Sequence, residues 1–299
     1  MRTYYSRRTV LKRMAGSAAL LASSAVLPSA AHAELLKEQW RSDARLKGNI
    51  RHSVCKWCYP NIALDDLCKA AKDMGLSSIE LLGPEEWPTL KKYGLTCAMP
   101  WGAHKSLTRG FNDPAYHDEL VASYEAIIPK VAAAGFDKII CFSGNRNGMS
   151  DEQGLQNCAQ GLKRLMKTAE KHKVTVTMEL LNSKVNHKDY QCDHTKWGVE
   201  LAKMVGSERF KLLYDIYHMQ IMEGDVIATI KEYHPYLNHY HTGGVPGRNE
   251  IDETQELYYP AIMQAIIGTG YKGFVGQEFI PKNQDALASL RKSVTICDV

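Results

Sequence analysis

Residues 50–299 repeat one pattern: a short run rich in β-branched and aromatic residues, followed by a segment with the apolar spacing of an amphipathic helix. Eight such units are predicted, and no linker rich in Pro, Gly or Ser divides them. Strands that alternate with helices favour a parallel sheet, and eight units in about 250 residues are typical of a closed (β/α)8 TIM barrel. The predicted strands are 50–55, 78–82, 95–99, 138–142, 174–180, 210–215, 237–241 and 273–279.

An open, doubly wound α/β sheet is the alternative architecture for this alternation. Such sheets usually carry a glycine-rich phosphate-binding turn directly after the first strand. Here the first strand runs into residues 55–60, which contain no glycine. The closed barrel is therefore favoured, and in a barrel the chemistry is expected on one rim, at the carboxyl ends of the strands.

Residues 1–33 have the composition of an export signal. They carry five basic residues and no acidic one, and an apolar run extends from residue 14 to 27. That run is shorter than the roughly 20 residues that span a bilayer. Residues 31–33 read Ala-His-Ala, a small-x-small cleavage pattern, and Arg7 and Arg8 lie in a stretch that resembles the twin-arginine motif. We therefore expect a twin-arginine signal peptide over 1–33.

Removal of this segment changes the charge balance of the chain. The full sequence has a formal net charge of +4, but residues 1–33 hold five of its 37 Lys and Arg and none of its 33 Asp and Glu, which leaves about −1 for the rest. That remainder lacks the basic excess typical of nucleic-acid binding, so we expect no nucleic-acid partner.

The same features predict the domain organisation and the location of the protein. We expect a lead-in over 34–49 and one barrel domain over 50–299, with no stable membrane span in the mature chain. The mature protein is expected to be periplasmic or extracytoplasmic, with the twin-arginine export machinery as a partner. The sequence is compatible with a homo-oligomer and does not decide the oligomeric state.

Four side chains of metal-binding type end four successive predicted strands. They are Glu179, Asp215, His241 and Glu278, at spacings of 36, 26 and 37 residues, each close to one strand-helix unit. A barrel would bring them together on one rim, where three carboxylates repel one another unless a cation lies between them. An oxygen-rich set with one imidazole favours one divalent ion, Mn²⁺ or Mg²⁺, and also admits Co²⁺ or Zn²⁺.

Further polar residues follow these strands and are candidates for binding a substrate. His218 lies three residues after Asp215, where it can reach a substrate oxygen. Arg248 lies in a turn beyond the seventh strand, where its guanidinium can hold a carboxylate or a pair of hydroxyls. His104 follows the third strand and His187 follows the fifth, and both are candidate substrate contacts.

The cysteines give only weak functional signals. Cys55 and Cys58 form a single C-x-x-C pair with no second pair, which is a weak zinc or redox motif. A disulfide between them remains open for an exported protein. Other cysteines fall in predicted strands or on apolar helix faces, as is typical of buried thiols.

Residues 50–299 resemble the xylose-isomerase-like barrel superfamily, and within it the hydroxypyruvate isomerase group. The motifs that carry the resemblance are YDIYHMQ at 214–220, MEG at 222–224, VPGR at 245–248, Gly-Tyr-x-Gly at 270–273 and an Asn three residues after Glu179. The resemblance implies that Glu179, Asp215 and Glu278 are metal ligands and that His241 is the fourth. Ketose 3-epimerases of the superfamily have His at this last position, whereas hydroxypyruvate isomerases usually have Gln. The epimerases also carry a second Glu where this sequence has Val185.

The resemblance also implies an activity, that of an isomerase of the intramolecular aldose-ketose type. Its substrate would be a small α-hydroxy carbonyl compound of the hydroxypyruvate/tartronate semialdehyde type, chelated by the metal through its carbonyl and hydroxyl oxygens. Glu179 or Glu278 would remove a proton to give a cis-enediolate, and one of them would return it at the adjacent carbon. Arg248 would hold the substrate carboxylate and His218 a substrate oxygen.

Three other functions remain open from the sequence. A sugar or 3-keto-sugar epimerase or lyase begins with the same proton abstraction, and such a substrate fits an exported protein better. A non-catalytic sugar-binding barrel would have no need of two glutamates at the site. An apurinic-site endonuclease would need an Asp-x-His after the seventh strand, where residues 247–250 read Gly-Arg-Asn-Glu.

Overall fold

The computed structural model of the protein describes residues 45–103 and 106–299. The predicted signal segment, residues 34–44 of the lead-in and His104 lie outside these described residues. Within them, one sheet contains seven parallel strands with an irregular segment between its two edges. The strands are β1 (Arg51–Cys55), β2 (Ser78–Glu80), β3 (Lys138–Cys141), β4 (Thr175–Glu179), β5 (Phe210–Asp215), β6 (Leu237–Thr242) and β7 (Phe274–Gln277).

The strand order is β2-β1-β7-β6-β5-β4-β3, and every neighbouring pair is parallel. This order follows the chain once around a curled sheet, as the barrel prediction requires. β2 and β3 are therefore the two edges that must meet for the barrel to close.

The segment at residues 95–100 lies between these edges. It was predicted as the third of eight strands, but only Thr96 forms a bridge, to Ser78, so the prediction of a regular strand is wrong. On the β2 side, the Leu81 N–H donates to the Met99 carbonyl at 2.8 Å. On the β3 side, the Ile140 N–H donates to the carbonyl of Pro100 at 3.3 Å. Because proline has no N–H, a regular ladder is interrupted here, yet the segment still bonds to both edges.

Nine α-helices in the described residues connect the strands and surround the sheet. They are α1 (Leu64–Asp73), α2 (Trp87–Lys92), α3 (His117–Ala133), α4 (Asp151–His172), α5 (Thr195–Val205), α6 (Ile216–Met222), α7 (Val226–Tyr233), α8 (Tyr259–Gly268) and α9 (Ala286–Cys297). The longest, α4, begins at a Ser150 cap whose hydroxyl accepts the Gln153 N–H, and it ends at Lys173 in the left-handed region. No helix in the part of the chain that the structure describes is long and apolar enough to cross a membrane.

All eight cysteines lie in the described part of the chain, and each is a buried free thiol. Cys55 and Cys58 therefore do not form a disulfide in this structure. Burial raises the pKa of every one of these thiols, which favours the unreactive protonated form.

Candidate active site

The four predicted ligands all lie at the carboxyl ends of strands. Glu179 ends β4, Asp215 ends β5, His241 is the last but one residue of β6, and Glu278 follows β7. One oxygen or nitrogen from each of the four lies within 4.8 Å of one from every other. Their side chains are buried, so one water-poor site on the carboxyl rim contains three carboxylates and an imidazole.

Arg248 neutralises part of this negative charge. Its Nη2 lies 2.6 Å from Glu278 Oε2 and 3.2 Å from Asp215 Oδ2, and its Nε donates to the Glu278 carbonyl at 3.3 Å. Arg248, a predicted substrate contact, therefore touches the group formed by Glu179, Asp215, His241 and Glu278, which we call the metal-type cluster. The guanidinium also lies over the rings of Trp57 and Tyr217, at 5.1 and 5.6 Å from their centroids.

The two glutamates have different surroundings. Glu278 Oε1 accepts a hydrogen bond from Trp57 Nε1 at 2.7 Å, and Oε2 receives the Arg248 contact. Burial alone would raise the pKa of Glu278, but Arg248 and His241 outweigh it and hold the pKa well below its usual range. For Glu179, burial and the charge of Glu278 raise the pKa, and its Oε1 has no hydrogen-bond partner among the described residues.

Asp215 connects the metal-type cluster with the residues that follow β5. Its Oδ1 accepts the His218 N–H at 3.1 Å and so caps α6, while Oδ2 faces Arg248. Burial, together with the charges of Glu278 and Glu179, raises the pKa of Asp215 to about 7 despite the nearby guanidinium.

The orientation of His218 follows from its hydrogen bonds. Asn182 Oδ1 accepts the backbone N–H groups of Val185 and Asn186, so its amide nitrogen must face His218. That nitrogen lies 2.6 Å from His218 Nδ1, which must accept the bond. The ring proton is then on Nε2, 3.7 Å from Asp215 Oδ2. Burial and Arg248 lower the pKa of His218, in agreement with a neutral ring.

His187 lies beside this histidine, as a predicted substrate contact in the loop after β4. The two ring centroids are 5.2 Å apart at an edge-to-face angle, and His187 is half-buried. Burial and Arg248 lower its pKa. Of the seven predicted site residues that the structure describes, six lie in or next to the metal-type cluster. The seventh, His187, contacts His218 and not the cluster itself.

Trp57, Glu80 and His239 also lie at the site and are not among the predicted site residues. Trp57 is on the rim after β1 and binds Glu278. Glu80 Oε2 lies 2.6 Å from His239 Nε2 and 3.2 Å from His241 Nε2. Burial alone would raise the pKa of Glu80, but these two imidazoles lower it to about 2. The sequence signal was a carboxylate within the second predicted strand, but its partners are 159 and 161 residues away.

The chemistry of this donor set fits a divalent cation. His241 Nδ1 lies 2.8 Å from Glu278 Oε2 and 3.4 Å from Glu179 Oε1, yet neither contact has hydrogen-bond geometry. A buried nitrogen without a hydrogen bond, surrounded by carboxylate oxygens, is the arrangement expected of metal ligands. Three oxygen ligands and one imidazole could hold an ion of the Mn²⁺ or Mg²⁺ type.

Comparisons with known proteins agree with the fold. The family model described as xylose isomerase-like TIM barrel matches residues 68–294. A solved AP endonuclease, family 2, from Brucella melitensis has a TM-score of 0.72 at 22% identity, with 82% of this chain and 97% of that chain covered. A solved 3-keto-D-glucoside 4-epimerase from E. coli has a TM-score of 0.67 at 18% identity, with 82% and 98% covered. At these identities the two structures show the fold alone.

A curated relative is similar over a shorter stretch. The putative hydroxypyruvate isomerase of Homo sapiens is 34% identical over 105 residues, which are 35% of this chain and 38% of the relative. The chain thus matches less than half the length of that relative. The family model, in contrast, spans nearly the whole described barrel, from α1 to α9. The chain therefore belongs to the xylose isomerase-like TIM barrel family.

Proposed function

We propose that this protein is a metal-dependent isomerase of small α-hydroxy carbonyl compounds, of the hydroxypyruvate/tartronate semialdehyde type. The observation that carries the proposal is the convergence of Glu179, Asp215, His241 and Glu278 on one buried rim. The name of the human relative supports the same reaction class. An ion bound by these four side chains would polarise a carbonyl and its neighbouring hydroxyl and acidify the C–H bond between them.

We assign the proton transfer to Glu179. Its Oε1 accepts no hydrogen bond among the described residues, so it has a lone pair available for a substrate proton. Both oxygens of Glu278 already accept bonds from Trp57 and Arg248, which stabilise its ionised form. Glu179 would therefore remove the proton from one carbon and return it to the next, while Glu278 stays ionised.

Two other side chains would orient the substrate. His218 presents its Nε2–H toward the cluster and would donate to a substrate oxygen. Arg248 places its positive charge beside the carboxylates and would attract a substrate carboxylate. Asn182 fixes the ring of His218 for this role, and Asp215 and Glu278 fix the guanidinium of Arg248.

Hydrogen exchange tests the reaction class directly. With added Mn²⁺, the protein should incorporate deuterium from heavy water at a carbon of hydroxypyruvate, as detected by NMR. Glu179→Gln should abolish this exchange, and Glu278→Gln should lower exchange and isomerisation together, because Glu278 would bind the metal and transfer no proton. Glu152→Gln, at an exposed position of α4, is the matched control and should behave as the wild type. Absence of exchange with every hydroxy-ketone tried would contradict the proposal.

A sugar or 3-keto-sugar epimerase acting outside the cytoplasm is the second candidate. Its support is a set of exposed apolar side chains in segments that follow strands, which a small acid would not need. Of the six exposed large apolar side chains in the described residues, Trp57, Val185, Tyr258 and Ile280 lie between a strand and the next helix, and Trp101 follows the segment at 95–100. Aromatic faces of this kind suit a sugar ring. Comparison of kcat/KM for hydroxypyruvate and for a ketohexose decides between the two.

A further inference from the structure

A buried group of polar side chains lies in the barrel interior beneath the metal-type cluster. Side chains alternate along a strand, so His239 faces the interior together with His241 on β6. Glu80, at the end of β2, contacts both rings and is completely buried. Branched apolar residues usually fill this layer of such barrels. A buried carboxylate between two imidazoles is costly unless its hydrogen bonds are satisfied.

The hydrogen bonds of Glu80 determine where His241 carries its proton. A single carboxylate oxygen, Oε2, lies within hydrogen-bond distance of both Nε2 atoms. An ionised carboxylate oxygen can accept two N–H groups and has no proton to donate. Both contacts are satisfied together only when each imidazole donates its Nε2–H to Glu80. In the neutral ring, the form that binds a metal, the lone pair of His241 is then on Nδ1, the atom that lies between Glu179 and Glu278.

Gly276 provides the space for this arrangement. It is paired with His241 in the sheet. A Cβ atom at this position would lie 2.7 Å from Glu80 Oε1 and 2.9 Å from His241 Cδ2. Any side chain on β7 at this level would therefore push the carboxylate or the ring out of place.

We infer that Glu80 is a positioning residue for metal binding: with the space that Gly276 leaves, it keeps the proton of His241 on Nε2 and directs Nδ1 into the cluster. A hydrogen bond to the distal nitrogen of a metal-bound histidine commonly fixes the ring in this way. The inference rests on the proposed function only in taking the cluster to bind a metal. It adds a residue from β2 to a site built on β4 to β7.

Metal binding by the full-length protein tests this role without an activity assay. The protein is stripped with a chelator and titrated with Mn²⁺, and free Mn²⁺ is followed by electron paramagnetic resonance. Glu80→Gln should weaken binding by about 10–100-fold, because its amide nitrogen can donate to an imidazole and displace the proton from Nε2. Glu85→Gln removes the same charge from an exposed position after the same strand and should bind as the wild type.

A second variant covers the case in which Glu80→Gln does not fold. Gly276→Ala removes no charge and no ligand, and it should also weaken Mn²⁺ binding by crowding Glu80 and His241. Gly268→Ala is its control, because no atom lies within 4 Å of the added methyl group there. Nitrogen-15 NMR of the Zn²⁺-loaded wild type should show the His241 proton on Nε2.

The outcomes separate this inference from the proposed function. If the wild type binds no divalent metal, both fail. If the wild type binds Mn²⁺ and either folded variant, Glu80→Gln or Gly276→Ala, binds it within twofold as tightly, the role of Glu80 is overturned and the metal site stands. A His241 proton on Nδ1 in the Zn²⁺-loaded protein overturns it without any variant.

Discussion

The rim residues differ in whether they donate or accept, and neighbours outside the cluster decide which. His218 presents an N–H because Asn182 occupies its other nitrogen, and Asn182 is held in turn by two backbone N–H groups. The sequence predicted His218 as a substrate contact, but not its tautomer, since that depends on a loop residue 36 positions away. Glu80 was missed for a similar reason, because its partners lie on β6.

Asn182→Asp should reverse the donor direction of His218. A carboxylate in place of the amide accepts a proton from Nδ1, so Nε2 becomes an acceptor and no longer donates to a substrate oxygen. Loss of one hydrogen bond at the site, about 1–3 kcal/mol, should lower kcat/KM by roughly 5–150-fold. Steady-state kinetics on the substrate found by exchange provides the measurement.

Asn186→Asp is the matched control for this variant. The Asn186 side-chain oxygen already accepts from Asn182 and from the Tyr217 hydroxyl, both at 2.8 Å, so a carboxylate preserves its role. It should keep kcat/KM within a few-fold of the wild type. Equal losses in both variants would show that the added charge matters, and not the direction of the His218 bond.

Arg248→Met should strengthen metal binding while it impairs turnover. The guanidinium partly neutralises Asp215 and Glu278 and repels a second cation, so its removal leaves carboxylates that attract Mn²⁺ more strongly. We expect about tenfold tighter binding in the Mn²⁺ titration and a large loss of kcat/KM. Arg109→Met, at an exposed position, should change neither. Weaker Mn²⁺ binding in Arg248→Met would contradict this account of its charge.

At the scale of elements, the loops after β3 and β4 are joined by one ionic network. Arg146 Nη2 lies 2.8 Å from Asp193, and its other nitrogens bind Asp151 and the Tyr190 carbonyl. Burial alone would raise the pKa of Asp193, but bonds from His194, Arg146 and Ser183 lower it to about 2. This network therefore holds the loop that carries Asn182 and His187.

The lowered pKa of Asp193 predicts a pH-dependent contribution to stability. Its pKa is near 3.9 in the unfolded chain, so the contribution is fully present above about pH 4 and is lost as the pH falls toward 2. With allowance for partial solvent screening, Asp193→Asn should be destabilised by about 1–2 kcal/mol at pH 6. In urea unfolding of the metal-free proteins, the difference from the wild type should shrink by pH 3. A constant difference across this range would show that ionisation of Asp193 is not its source.

The sequence predicted the elements best where strand and helix alternate without interruption. The end of β5 at Asp215 agrees with the prediction. β6 ends at Thr242, one residue beyond the predicted end at His241. The third predicted strand does not form a regular ladder: only Thr96 forms a bridge, and Pro100, directly after the predicted strand, has no N–H to continue it. Helix α6 was not predicted, since its cap is Asp215, which was interpreted only as a metal ligand.

At the scale of the whole molecule, the metal-type cluster connects four strands that are distant in sequence. An ion that binds only the folded state stabilises it by RT ln(1 + [L]/Kd), about 2.7 kcal/mol at a hundredfold excess over Kd. Mn²⁺ at that excess should therefore raise Tm by about 5–10 °C in calorimetry. Glu179→Gln should reduce the rise, and an unchanged Tm in the wild type would contradict a metal bound only by the folded chain.

The eight buried thiols can serve as natural probes of local unfolding of the barrel. While the barrel is closed, an alkylating reagent meets no accessible thiolate, because every cysteine is shielded and protonated. They are distributed from Cys55 in β1 to Cys297 at the end of α9. Timed alkylation followed by mass spectrometry would thus report which part of the barrel exposes its interior first, residue by residue, without any introduced label.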